Sequence, residues 1–158
     1  MLSVRSSWWT VVFSLGLISC SSKEPEMAFN LADQKSYLDK AAQEPGAIRT
    51  DSGLVYFELK PGTGASPLSS DTVTVHYKGT LIDGKEFDSS YKRNEPAEFP
   101  LNMVIPCWTE GVQKMKVGGK ARLVCPAGIA YRDRGAPPDI PGGATLIFEI
   151  ELLSIKGA

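Results

Sequence analysis

Aromatic and branched apolar side chains recur in three separate segments of the chain, with one carboxylate beside them. The segments are residues 73–79, 83–90 and 104–111, and the carboxylate is Asp88. Side chains of these types, delivered from different elements, build a dry pocket that suits an apolar ligand. The sequence therefore predicts an apolar binding site with one acidic group next to it.

Proton-transfer and metal chemistry find little support in the residue inventory. The single histidine, His76, precedes Tyr77 on a predicted strand, so alternation turns it away from the face that carries Tyr77, and a Ser-His-Asp mechanism is not expected. One histidine and three separated cysteines form no recognisable metal-ligand set. We expect neither a metal nor any other cofactor.

The charge balance argues against nucleic acid as a partner. The chain has 17 basic and 18 acidic side chains and a formal net charge of -1. It contains no basic run of the kind that tracks a phosphate backbone. The Gly-containing stretch 61–64 lacks the lysine of a phosphate loop and is interpreted as a turn.

Alternating patterns predict the strands that position the pocket residues. Strands are predicted at 54–60, at 72–80, from residue 120 and at the end of the chain. Alternation directs one set of side chains toward the core: Val73, Val75, Tyr77, Ala121, Leu123, Cys125, Leu146, Phe148 and Ile150. A short helix is predicted over 108–115, closed by Gly118 and Gly119. The expected fold class is α+β, a twisted antiparallel sheet wrapped around one short α-helix.

The first residues resemble an export signal. A cation, Arg5, precedes an apolar run over 8–18, which is too short for a membrane span of about 20 residues. The run ends before Ser19 and Cys20 in a pattern that resembles a bacterial lipobox. The resemblance implies cleavage before Cys20 and lipid attachment to it, and Ser21 favours sorting to the outer membrane. The alternatives are an ordinary secretory signal or a short buried helix.

The remaining chain is long enough for one ordinary domain. We assign residues 1–19 to the signal peptide, 20–27 to a lipid-anchored tether, 28–52 to a helical spacer and 53–158 to the main domain. In the spacer, Asn30 is placed to cap a helix over 31–43, and Pro45 and Gly46 stop it. Its weak apolar stripe is interpreted as lying against its own domain, with pairing to a partner helix as the alternative.

Several motifs in order identify residues 53–156 as resembling an FKBP-type peptidyl-prolyl cis-trans isomerase. The matching pieces are Val75-His-Tyr-Lys-Gly79, Asp83-Gly-Lys-Glu-Phe-Asp-Ser-Ser90, Val104-Ile-Pro with Trp108, Gly118-Gly119, Ile129-Ala-Tyr131 and Ala144-Thr-Leu-Ile-Phe-Glu-Ile-Glu-Leu152. With the lipobox, the chain is similar to the exported Mip-like and FkpA-like bacterial members. It has no counterpart of the long helical dimerisation region that many of those carry, so a monomer is expected.

The resemblance assigns a role to each pocket residue. Trp108 forms the floor, and the walls are expected from Tyr77, Phe87, Val104, Ile105, Tyr131 and Phe148. Asp88 lies at the rim with Arg93 as the partner that keeps it ionised, and Ile140 belongs to a loop that overhangs the site. The Ile105 backbone N–H and the Tyr131 hydroxyl are expected to hold ligand carbonyls.

The function implied by the resemblance is isomerisation of Xaa-Pro bonds in unfolded or partly folded envelope and secreted proteins. The family also implies inhibition by macrolides and a place in the cell envelope through the lipid anchor. Two alternatives stay open: a holdase chaperone that grips prolyl segments with incidental turnover, and a surface factor that interacts with a host.

Four positions depart from the family pattern. Ala97 stands where well-known members carry a pocket phenylalanine, and Arg132 replaces a glycine. Cys107 replaces a glycine and Cys125 an aliphatic strand residue. Two unusual cysteines in an exported domain predict a disulfide between them. The alternative is two buried free thiols.

Overall fold

A computed structural model describes residues 29–156 of the chain. The predicted signal peptide, the whole tether with Cys20, and the first residue of the spacer lie outside the described residues. Within residues 29–156, no helix is long and apolar enough to cross a bilayer.

The described residues form two α-helices and one antiparallel sheet of seven strands. The helices are α1 (Leu31–Ala41) and α2 (Pro106–Gln113). The strands are β1 (Ile48–Arg49), β2 (Val55–Lys60), β3 (Thr72–Leu81), β4 (Glu86–Ser89), β5 (Ala97–Pro100), β6 (Lys120–Cys125) and β7 (Leu146–Lys156). The sheet order is β1-β2-β6-β7-β3-β4, with β5 also paired to β3. The predicted α+β class and antiparallel sheet are confirmed.

The two long strands β3 and β7 lie side by side at the centre and carry the core. Their register pairs Tyr77 with Ile150 and Gly79 with Phe148. Val73, Val75 and Ile150 are fully buried on the face that the alternating pattern predicts. The centre of the sheet is therefore the rigid base on which the pocket residues stand.

Helix α2 packs on the inner face of the sheet. It begins at Pro106, two residues before the predicted start, because a proline at the first helical position has the required φ and needs no hydrogen-bond acceptor. A Cβ atom at Gly111 would come within 2.6 Å of Leu123 Cδ1. Glycine at this position lets the helix approach β6 closely, which sets the depth at which Trp108 lies.

Helix α1 covers part of the opposite face of the sheet. The side chain of Asn30 caps it, with Oδ1 accepting from the Ala32 N–H at 2.9 Å. Ala41, on this helix, joins a small apolar cluster with Val55, Phe57 and Val124. Parts of β2 and β6 are therefore buried on both faces of the sheet, which strict alternation does not anticipate. The segment assigned as a spacer thus contacts the sheet directly.

The sulfur atoms of Cys107 and Cys125 lie at disulfide-bonding distance, and their Cα atoms are 5.9 Å apart. Both residues are fully buried. Such a bond links the first turn of α2 to the end of β6, and therefore joins the helix that carries Trp108 to the strand that leads into the loop of Tyr131.

Arg132 adopts a backbone conformation that favours glycine, with φ of 52°. A left-handed backbone conformation costs a residue with a Cβ about 1 kcal/mol. Substitution by glycine removes this cost, but part of the gain is lost because glycine gives the unfolded chain more conformational freedom. We expect Arg132→Gly to raise the free energy of unfolding by up to about 1 kcal/mol in urea titrations. Arg134→Gly is the control in the same 3-10 helix, and it is expected to be neutral or destabilising. Equal effects of both substitutions would contradict this interpretation.

Candidate active site

A cavity of about 370 Å³ opens between the inner face of the sheet and the start of α2. Its lining consists of Tyr77, Phe87, Asp88, Phe99, Met103, Val104, Ile105, Trp108, Tyr131 and Phe148. The lining includes all eight residues that the sequence assigned to the floor, walls and rim. Phe99 and Met103 were not predicted.

Trp108 is the centre of an aromatic cluster at the bottom of the cavity. Its ring meets those of Tyr77, Phe99 and Phe148 edge to face, with centroids 5.2, 5.5 and 5.3 Å apart. Edge-to-face contacts of this kind hold each ring in a defined orientation. The Trp108 Nε1–H is buried and has no protein acceptor within the described residues. The floor of the cavity is thus a pre-formed apolar surface.

Phe99 was not predicted, although it lies two residues after Ala97 on the same face of β5. Strand pairing places Ala97 opposite Val75 and Phe99 opposite Val73, so both point toward the pocket side of the sheet. Alternation along β5 was the signal that identifies Phe99. Its ring contacts both Tyr77 and Trp108, so an aromatic wall persists beside Ala97.

Gly79 makes room for two of the aromatic walls. A Cβ atom at this position would lie 2.5 Å from Phe87 Cζ and 2.9 Å from Phe148 Cε1. We expect Gly79→Ala to displace both rings, to cost about 1–3 kcal/mol of stability and to weaken ligand binding in the cavity. The measurements are urea denaturation and titration with a cavity ligand. Gly128→Ala is the matched control, because a Cβ there meets nothing within 4 Å.

Three polar groups form a closed network at the rim. The Tyr77 hydroxyl donates to Asp88 Oδ2 at 2.5 Å, and Arg93 Nη1 donates to Asp88 Oδ1 at 2.7 Å. Arg93 Nη2 also donates to the Tyr77 oxygen at 3.0 Å. Arg93 is therefore an ion-pair partner of Asp88, although it does not line the cavity itself.

The rim network holds both titratable groups in one protonation state. Burial acts to raise the pKa of Asp88, but the hydrogen bonds from Tyr77 and Arg93 and the Arg93 charge outweigh it, so the pKa is lowered. Burial and the bond to Asp88 raise the pKa of Tyr77. At neutral pH, Asp88 is therefore an anion and Tyr77 a neutral donor, and neither is suited to exchange protons with a ligand.

The lowered pKa of Asp88 predicts an acid-sensitive contribution to stability. The contribution is present above the ordinary carboxyl pKa of 3.8 and is lost as pH falls through the lower folded value. It is expected to be under about 1 kcal/mol because the ion pair is half exposed. Urea titrations at about pH 5 and about pH 3 should show a smaller fall for Asp88→Asn than for the parent. Identical falls would contradict the assignment.

Two hydrogen-bond donors at the mouth of the cavity lack protein acceptors in the described part of the chain. They are the backbone N–H of Ile105, just before α2, and the hydroxyl of Tyr131, which is 39% exposed. Both residues line the cavity. The arrangement can hold carbonyl groups of an apolar ligand.

Two residues singled out from the sequence lie away from the cavity. Ile140 is buried at 5% exposure in the main core and is not among the residues that line the cavity. Its backbone exchanges hydrogen bonds with Ala136, which closes the loop after Tyr131. His76 bonds Ser90 through Nδ1 at 2.9 Å and stacks on Tyr91, on the face opposite Tyr77, as alternation predicts.

Comparisons with known proteins agree with this geometry. Residues 64–153 match the family described as FKBP-type peptidyl-prolyl cis-trans isomerase. The chain is 51% identical over 135 residues to the FKBP-type peptidyl-prolyl cis-trans isomerase FkpA of Escherichia coli (strain K12). The aligned region covers 85% of this chain and 50% of that protein. It is 45% identical over 129 residues to the outer membrane protein MIP of Legionella longbeachae, covering 82% of this chain and 55% of that protein.

Solved structures agree as well. The crystal structure of FkpA from Escherichia coli superposes with a TM-score of 0.79 and 52% identity, covering 82% of this chain and 60% of that one. A peptidyl-prolyl cis-trans isomerase from Pseudomonas syringae gives a TM-score of 0.76 and 38% identity, covering 80% and 93%. The chain spans about half the length of the curated relatives that it matches. Sequence, fold and cavity lead to one conclusion: the chain belongs to the FKBP-type peptidyl-prolyl cis-trans isomerase family.

Proposed function

We propose that the protein accelerates cis-trans isomerisation of Xaa-Pro bonds by binding the prolyl segment in the cavity above Trp108. The observation that carries the proposal is the pre-formed aromatic floor and walls of a cavity of about 370 Å³. A cavity of this size and composition accepts a proline ring and the amide that precedes it.

The mechanism requires no proton transfer. The barrier of about 18–20 kcal/mol arises because the half-twisted amide loses its resonance. The twisted amide also has less charge separation than the planar one, so an apolar site that excludes water from the carbonyl oxygen favours the twisted form. Trp108, Phe99 and Phe148 supply that apolar surface.

Three groups orient the substrate in this mechanism. The Ile105 N–H and the Tyr131 hydroxyl donate to backbone carbonyls on either side of the proline. Asp88, fixed as an anion by Tyr77 and Arg93, keeps the polar rim in place around the apolar floor. The support for these roles is the unpartnered state of both donors within residues 29–156 and their position in the cavity lining.

The proposed substrates are proline-containing segments of unfolded or partly folded proteins in the bacterial envelope. Met103 lies in the cavity lining and is 80% exposed, so it offers an apolar surface to the residue before the proline. Apolar residues are expected to be preferred there. Macrolide inhibitors of the family are expected to bind, more weakly than to members that carry a phenylalanine in place of Ala97.

The proposed location is the cell envelope, with the chain anchored in the outer membrane through lipid on Cys20. The lipobox-like pattern before Cys20 supports the anchor, and the similarity to a protein named an outer membrane protein supports the compartment. We further propose that the protein is a monomer.

In the holdase alternative, the cavity only binds prolyl segments and its catalysis has no part in the function. The same aromatic floor binds prolyl segments whether or not turnover follows, because the cavity contains no group that is consumed or reprotonated. The alternative predicts that aggregation of a client is suppressed equally when isomerisation has been abolished. The isomerase proposal predicts that refolding limited by proline isomerisation slows as catalysis is lost.

A protease-coupled isomerisation assay on a Phe-Pro peptide tests the proposal. We expect catalysis well above the uncatalysed rate, suppressed by a macrolide and reduced at least tenfold by Asp88→Leu, about 1.4 kcal/mol of transition-state stabilisation. Glu110→Leu is the matched control, since it removes a carboxylate that bonds Ser52 outside the cavity. Background rates in a folded protein would shift the conclusion to the holdase.

A further inference from the structure

The cavity above Trp108 is called the prolyl cavity below. A second, larger groove lies between the start of α1, the β3–β4 turn and the loop before β7. Its volume is about 470 Å³. Its apolar lining consists of Phe29, Leu81, Ile82, Pro138, Pro141 and Ala144. Phe29 is 42% exposed, and Leu31 beside it is 65% exposed. Exposed apolar side chains that cluster around a concave surface mark a place where another molecule binds.

The groove has an acidic character that selects its occupant. Asp33, Asp83 and Asp139 line it, against a single cation, Lys85. None of these four charged groups belongs to an ion pair within the part of the chain that the structure describes. Asp83 Oδ1 accepts from the Lys85 N–H at 2.8 Å, but this bond leaves its negative charge uncompensated. Carboxylates without an ion-pair partner around an apolar surface favour a ligand that is both apolar and positively charged.

Gln34 supplies an oriented hydrogen-bond donor inside this groove. It is 8% exposed, and its Oε1 accepts from the Thr145 N–H at 2.8 Å, which fixes the direction of the amide. Its Nε2 has no protein acceptor among residues 29–156 and is not sealed from solvent. A buried amide whose oxygen is held and whose nitrogen is unpaired is suited to bind a backbone carbonyl.

We propose that this groove binds an extended polypeptide segment that is apolar and basic, independently of proline. Its apolar side chains cover Phe29 and Ile82, its basic side chains approach the three aspartates, and a backbone carbonyl accepts from Gln34 Nε2. The segment that precedes Phe29 in this chain, residues 23–28, has one lysine and two glutamates, so its net charge does not complement the groove. A client polypeptide fits the chemistry better.

The groove adjoins the prolyl cavity through shared elements. Lys85 lines the groove and Phe87, two residues later, lines the cavity, while the loop from Tyr131 to Pro141 contributes to both. One client chain can therefore occupy both sites. The proposal stands apart from the proposed isomerase activity, because binding in the groove needs neither proline nor turnover.

The test is fluorescence anisotropy on the full-length chain with the prolyl cavity saturated by a macrolide. The probe is a labelled, proline-free peptide of alternating leucine and lysine, and the comparison peptide has glutamate in place of lysine. We expect the lysine peptide to bind and the glutamate peptide to bind far more weakly. Asp83→Asn with Asp139→Asn should weaken binding of the lysine peptide about fivefold, since each exposed charge pair makes only a small contribution.

A charge-matched control separates the groove from general attraction. Asp51→Asn with Glu58→Gln removes the same charge from exposed positions outside the groove and should leave affinity unchanged. The proposal is overturned if both double variants weaken binding equally, if the macrolide displaces the peptide or if the peptide does not bind. An unchanged isomerisation rate in both double variants is expected, so failure of groove binding is distinguishable from failure of the isomerase.

Discussion

Replacing Trp108 by leucine is expected to lower kcat/KM for a prolyl peptide by about two orders of magnitude. Loss of a buried aromatic surface of this kind removes about 3 kcal/mol of contact, and each 1.36 kcal/mol lost from the transition state is a factor of ten. Trp108 is 4% exposed, and its ring contacts those of Tyr77, Phe99 and Phe148. The measurement is the protease-coupled rate, taken after near-ultraviolet circular dichroism shows an intact fold.

A matched aromatic outside the cavity provides the control for Trp108→Leu. Phe57 is 5% exposed and packs under α1 on the opposite face of the sheet. Phe57→Leu should lower stability without a comparable loss of kcat/KM in the folded protein. If both variants lose activity in proportion to stability, the floor of the cavity has no special part in catalysis.

Removing the bond between Cys107 and Cys125 is expected to lower the free energy of unfolding by about 3 kcal/mol. We propose that this disulfide forms in the exported protein, and the value follows from the chain entropy of a loop of this length. The positions are 18 apart in sequence, and both are fully buried, so Cys107→Ala with Cys125→Val preserves an apolar core. Urea denaturation of the parent and the double variant measures the difference.

Reductant distinguishes the bridge from two free thiols. Unfolding the parent in the presence of reductant should bring its stability down to that of the double variant, which reductant leaves unchanged. Intact mass after alkylation of the unfolded, unreduced parent should show that neither Cys107 nor Cys125 reacts. Two alkylated thiols at these positions, with no effect of reductant on stability, would establish that the bridge does not form.

The strand pattern made most of the fold and the site predictable. A period of two directs Tyr77 and Phe148 inward, and the short motifs around Asp88 and Trp108 supply the rest of the cavity. The position of α1 was harder to predict, because its apolar stripe is weak and because it packs on strands β2 and β6, which are buried on both faces. Alternation predicts that Val124, next to the inward Leu123, points outward to solvent. Val124 is nevertheless fully buried, because α1 packs on that face of the sheet.

The groove beneath Phe29 could not have been predicted from the sequence. Its walls come from the start of α1, the β3–β4 turn and the loop after Tyr131, which are distant along the chain. One contact between two of these walls is the hydrogen bond from the Thr145 N–H to Gln34, 111 residues apart. No local pattern encodes a contact of that range. Ile140 was predicted to overhang the cavity, but it lies in the main core, in a loop closed by the Ala136–Ile140 bridge.

The most direct test of catalysis without proton transfer is two-dimensional exchange NMR on a Phe-Pro peptide with catalytic amounts of the protein in H₂O and D₂O. We predict a cis-trans exchange rate far above that of the free peptide, with nearly equal rates in the two solvents, because the apolar cavity stabilises the twisted amide and moves no proton. A rate that matches the free peptide, or one that falls several-fold in D₂O, would contradict this mechanism.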